Sequence, residues 1–143
     1  MRKDIVNEAL TWLETPYHHK AMVKFAGVDC AMLVAGIAYE LGIISRDLVL
    51  PDYSVQWHLH NNEEKLLDVL NSVGCKQRKD KNKAEPGDIL TFQYGRVSSH
   101  LGVLINNNQI IHARLDIGKV VINDLDEDLL KRWTYTYKFP GVK

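Results

Sequence analysis

The sequence predicts an α+β fold in which N-terminal helices pack on a mostly antiparallel β-sheet. Three observations carry this. Apolar residues recur at helical spacing as far as Val73, short β-type runs separated by turn residues follow from Ile89, and no linker, repeat or low-complexity tract intervenes. The 143 residues are therefore expected to form one domain, 1–143, long enough to bury a core without disulfides or metal.

Asp4 is placed to cap a first helix running to Glu14, with Ile5, Val6, Ala9, Leu10 and Leu13 on one side and Thr15-Pro16 ending it. Tyr17 to Gly27 has no clean period and reads as a loop carrying His18, His19, Lys20 and Lys24. Asp29 is a good N-cap, Cys30 to Leu41 is free of proline and apolar on nearly every side, and Gly42 is placed as a C-cap. That pattern predicts a buried helix around which the other elements pack. The stretch through Pro51 and His60 reads as irregular, and Asn62 caps a third helix, Glu63 to Val73, with Leu66, Leu67, Val69 and Leu70 inward. Lys76 to Lys83 is basic; a solvated connector is favoured over a phosphate site because the whole chain is balanced in charge. After the turn Glu85-Pro86-Gly87-Asp88, strands are expected at 89–94, 101–105, 109–115, 119–122 and 134–139, with a short helix from Leu125 to Trp133.

Eighteen basic and eighteen acidic residues leave no net charge, so neither nucleic acid nor an anionic membrane surface is expected as a partner. No run approaches the ~18 apolar residues of a membrane span, so no membrane insertion is expected. Met1 to Glu8 lacks the apolar segment of a secretory signal, which implies synthesis in the cytoplasm and another export route for any role outside. Cys30 and Cys75 are too few for a disulfide framework and read as free thiols.

Cys30 falls in the first turn of its helix, where unpaired N–H groups and the dipole are expected to lower its pKa below ~8.5. The same N–H groups suit an oxyanion. A buried structural cysteine is the plain alternative. Further on, Asn106-Asn107-Asn108 predicts a hairpin with an odd-length loop. In that register Leu101, Val103 and Ile105 share a face with Ile111, Ala113 and Leu115, while His100 and His112 meet on the other face beside Gly102. Cysteine, base and orienting residue are the three parts of a thiol hydrolase, and Cys30, His100 and His112 supply them in that order. A zinc site from the same three residues is the weaker reading, since neither Cys-x-x-Cys nor His-Glu-x-x-His accompanies them, and no cofactor is expected. His58 and His60 read as surface or cleft lining. Arg114 is placed either to grip a substrate carboxylate or to cover apolar surface with its stem.

Five pieces then stand in order: Thr15-Pro16-Tyr17-His18-His19-Lys20-Ala21, Gly27-Val28-Asp29-Cys30, Glu85-Pro86-Gly87-Asp88-Ile89-Leu90, Ser99-His100-Leu101-Gly102-Val103 and Ile110-Ile111-His112-Ala113. With them the chain resembles the NlpC/P60 superfamily of cell-wall cysteine peptidases, especially the branch encoded with phage tails and prophage-like elements. Leu50-Pro51-Asp52-Tyr53-Ser54 and Trp57 are similar to that branch too.

The resemblance implies a papain-like fold and hydrolysis of peptidoglycan stem peptides between D-glutamate and a diamino acid. It implies that Cys30 is the nucleophile, His100 the general base and then acid, and His112 the residue orienting His100. Tyr17 would border the nucleophile, and Asp29 would help bind the amino end of the substrate. It also implies action at the cell wall with phage tail proteins as partners. Where many relatives have Asp-Cys-Ser-Gly-Leu, this chain has Asp29-Cys30-Ala31-Met32-Leu33, so a hydroxyl and a glycine are missing. The rival reading is a catalytically silent wall-binding or tail-structural module that keeps the fold.

Overall fold

The structure, a computed structural model, describes residues 1–45, 47–51, 65–95 and 97–142. Among them are four α-helices: α1 (Arg2–Leu10), α2 (Cys30–Glu40), α3 (Lys65–Val73) and α4 (Glu127–Arg132). A two-residue hairpin, β1 (Met22–Val23) and β2 (Gly27–Val28), precedes α2. The main sheet holds β3 (Lys76–Gln77), β4 (Ile89–Tyr94), β5 (Val97–Leu104), β6 (Gln109–Arg114), β7 (Lys119–Asp124) and β8 (Trp133–Lys138). Its order is β3-β8-β4-β5-β6-β7, antiparallel throughout, so the expected α+β architecture is the one found.

α2 is the centre. Every residue from Cys30 to Ala38 is buried, and the helix touches α1, α3, β1, β5 and β6. Burying side chains such as Leu33, Val34 and Ile37 stabilises the fold by about 1.5–3 kcal/mol each. Gly36 is where Trp12 comes closest: a Cβ there would lie 2.6 Å from the indole ring. On the sheet, Ile89, Leu101, Val103, Ile111, Ala113 and Val120 face the helices. Leu90, Phe92, Leu104 and Ile110 form a second, smaller core with Leu129 of α4 on the opposite face.

Three expectations change. α1 starts at Arg2 and ends at Leu10, so Asp4 lies in its first turn and caps nothing. Beyond Leu10 the amides of Thr11, Trp12 and Leu13 bond three residues back, and Glu14 N–H donates to the Val120 carbonyl, drawing the chain into β7. The segment from Tyr17 to Gly27 is partly a hairpin. Leu115, expected on the core face, is 60% exposed past the end of β6. The expected start of the third helix at Asn62 and Glu63, like Trp57, His58 and His60, lies outside the described residues.

The basic stretch after α3 is tied into the fold. Asp88, fully buried, accepts from Arg2 Nη1 at 2.8 Å, Arg78 Nε at 2.7 Å and the Glu85 N–H at 2.9 Å. This carboxylate pins the start of α1 and the strand after α3 to the Glu85–Asp88 turn.

Candidate active site

The sulfur is set by the cap of α2. Asp29 has an extended backbone, and its carboxylate accepts the Met32 N–H at 2.9 Å and the Lys20 N–H at 2.7 Å, with His19 Nδ1 at 3.5 Å. Asp29 is fully buried behind the helix start and does not line the cleft. Each of its two oxygens accepts a backbone N–H, one from Met32 and one from Lys20. Cys30 is 8% exposed, and backbone N–H groups of Leu101, Ala31 and Cys30 itself point at its sulfur.

Those N–H groups pull the thiol pKa down, yet burial, with Asp29 adding to it, pushes it up from 9.0 to about 12. This reverses the sequence expectation. A helix terminus contributes ~1 kcal/mol, whereas withdrawing a thiolate from water shifts a pKa by several units.

The imidazoles come from the β5–β6 hairpin in the register that the three asparagines predict, with Val103 opposite Ile111 and Leu104 opposite Ile110. A Cβ on Gly102 would lie 3.1 Å from His112 Cβ, so the glycine makes room for the ring. Pairing of β4 with β5 shifts between Phe92 opposite His100 and Gln93 opposite Ser98, leaving Ser99 as a bulge just before His100. His100 then lies against Tyr94, edge-on at 6.0 Å, and Phe92, tilted at 6.0 Å.

His100 Nε2 and His112 Nδ1 are 2.7 Å apart, and His112 Nε2 is 2.7 Å from Asn123 Oδ1 on β7. Arg114 Nη1 donates to the same oxygen at 3.0 Å, and its Nε and Nη2 pair with Asp116. Burial, then His112 and Arg114, lowers the His100 pKa from 6.5 to about 3. Burial lowers that of His112 as well, against the pull of Asn123. Each ring is thus held neutral.

A cleft of about 780 Å³ runs over these groups, lined by Tyr17, Cys30, His100, His112, Arg114 and Asn123 among others. Tyr17 is fixed by its backbone: its N–H donates to the Gly118 carbonyl at 2.8 Å, and it bridges to Val28 beside Asp29. Gly27 permits that approach, since a Cβ there would lie 2.8 Å from His18 Cβ. Burial, then Cys30, then Asp29 raise the Tyr17 hydroxyl pKa. Five of the six residues singled out from the sequence therefore share one cleft, and Asp29 supports it from beneath.

Arg114, expected to grip substrate or cover apolar surface, is engaged by Asp116 and Asn123. Ala31 and Met32, the two positions beside Cys30 that depart from the motif of the resemblance, are buried in the helix without disturbing its cap. Among the described residues no cluster of three histidine, cysteine or acidic side chains is arranged to hold a metal ion. Asn123 and Tyr94 escaped the sequence reading. The signal for Asn123 was the second hairpin, whose register sets Val121 opposite His112 and Asn123 on the same face two residues on.

The fold has solved counterparts. The NlpC/p60 domain of the peptidoglycan hydrolase SagA is 19% identical at a TM-score of 0.66, covering 97% of this chain and 99% of that one. The peptidoglycan hydrolase RipB from Mycobacterium tuberculosis is 17% identical at 0.62, covering 96% and 63%. An N-acetylmuramoyl-L-alanine amidase from Bacteroides uniformis ATCC 8492 is 13% identical at 0.63, covering 96% and 98%. The chain spans 40% of an NlpC/P60 family protein from Bacillus cereus ATCC 10987. No curated protein matches in sequence. The NlpC/P60 family model matches residues 14–138, a span that holds the cysteine, both histidines and the strands that carry them, and on that match the chain belongs to the NlpC/P60 family.

Proposed function

We propose that this protein is a cysteine peptidase that hydrolyses peptidoglycan stem peptides. The observation that carries the reading is the common cleft: a helix-start cysteine and a hydrogen-bonded histidine pair line it together, in a chain of this family. In the proposed reaction His100 takes the proton of Cys30 Sγ as the sulfur attacks the amide carbonyl. Backbone N–H groups at the start of α2 stabilise the tetrahedral oxyanion. His100 returns the proton to the leaving amine, the C–N bond breaks, and a thioester on Cys30 remains. Water, deprotonated by His100, releases the acyl group as a carboxylic acid and restores the thiol.

Burial raises the pKa of the thiol and lowers that of the imidazole, and both directions favour a proton that moves during attack over a preformed ion pair. The finer assignment, cleavage between D-glutamate and a diamino acid by a tail-borne enzyme, draws its support from the motif resemblance around Tyr17, Cys30 and Leu50-Pro51. Mass spectrometry of peptidoglycan treated with the purified chain tests both levels. Release of stem-peptide fragments ending in D-glutamate, lost in Cys30→Ala, supports the peptidase. Cleavage between the sugar lactyl group and L-alanine would make it an amidase, and wall binding without products, equal in both proteins, would make it a silent module.

A further inference from the structure

The polar chain behind His100 is longer than a triad, and its far end is a group with only one chemical sense. A guanidinium donates hydrogen bonds and never accepts them. Arg114 Nη1 lies 3.0 Å from one side-chain atom of Asn123, so that atom is the amide oxygen. The same oxygen lies 2.7 Å from His112 Nε2, which must therefore carry a hydrogen. A neutral imidazole with its proton on Nε2 presents a lone pair at Nδ1, and His112 Nδ1 is the atom 2.7 Å from His100 Nε2. His100 consequently donates through Nε2, and its own Nδ1 is left bare.

We propose that Asn123, its amide orientation fixed by Arg114, is a positioning residue that locks both histidines in one tautomer and so leaves His100 Nδ1 as the proton acceptor for Cys30. The inference rests on the hydrolase reading for its catalytic consequence, and on hydrogen-bond geometry between two neutral, buried rings for the tautomers. Asp116 completes the device by holding the guanidinium at the cleft rim. Neither ring needs a charge of its own for the direction of donation to be set.

The test is nitrogen NMR of the full chain labelled at histidine, paired with steady-state cleavage of a stem peptide. In the wild type, both His100 and His112 show a protonated Nε2 and a bare Nδ1 near neutral pH. In Asn123→Leu the His112 signals become those of a tautomer mixture and His100 follows. kcat then falls about tenfold, the ratio that one ordinary hydrogen bond controls, while KM stays within about twofold. Asn123→Asp, which still accepts from both Arg114 and His112, restores the single tautomer and most of kcat. Arg114→Gln shifts the populations the same way more weakly and serves if Asn123→Leu does not fold. A proton on His112 Nδ1 in the wild type, or unchanged tautomers and kcat in Asn123→Leu, overturns the inference. Tautomers as stated in a chain that cleaves no peptide would uphold the locking and overturn the hydrolase reading alone.

Discussion

Two polar clusters in this molecule treat charge in opposite ways. Around Asp88 a full negative charge sits in the interior, enclosed by Arg2, Arg78 and a backbone N–H. Behind the cleft, neutral rings sit in the interior, and the ionised pair Arg114–Asp116 stays at the rim. The first joins segments far apart in the chain and has nothing to do but hold. The second is where we propose that a proton moves between Cys30 and His100, and burial that favours neutral forms suits that task better than a fixed ion pair. Charge is placed inside where the chain is pinned and outside where chemistry is expected.

The comparison can be broken at either cluster. His100→Ala removes the proposed base and should lower kcat by about 10⁴-fold, the scale of losing a triad member, with the thermal midpoint little changed. Asp88→Ala should do the reverse. It leaves two guanidiniums without their buried partner, costing about 3–5 kcal/mol in denaturant unfolding, while the folded fraction keeps its turnover.

pH sharpens the contrast. His100, lowered to about 3 in the folded chain, titrates near 6.5 when unfolded, so between those values the unfolded state binds more protons and stability falls as pH drops. Cys30, raised to about 12, titrates near 9.0 when unfolded, so stability falls again as pH rises past 9.0. Melting curves should therefore peak between about 6.5 and 9, and His100→Gln should flatten the acid side. The smallest effect belongs to the rim: Asp116→Asn breaks a surface pair and should cost under about 1 kcal/mol, with a modest loss of turnover.

Much of this was legible in the residues. Asp29 before an apolar run announced the cap and the burial of α2, and three consecutive asparagines set the hairpin register that brings His100 and His112 together. What escaped depends on quantities a sequence does not carry. The depth of Cys30 decides whether the dipole or desolvation wins, and that depth comes from how β5 lies across the helix. The surroundings of Asp29 depend on the Lys20 and Met32 amides folding back over it. Asn123 required a second register, and α1 stops early because Glu14 finds a partner on β7.

The central claim is that the Cys30 sulfur does the chemistry in this cleft. It is tested most directly by alkylating the intact protein with iodoacetamide, mapping the adduct by mass spectrometry and following peptidoglycan cleavage in the same samples. Both thiols are held neutral by burial, but Cys30 lines the cleft with the proposed base His100 and Cys75 does not, so the account predicts the adduct on Cys30 ahead of Cys75, with cleavage lost in step. Cleavage that persists after Cys30 is fully alkylated would contradict it.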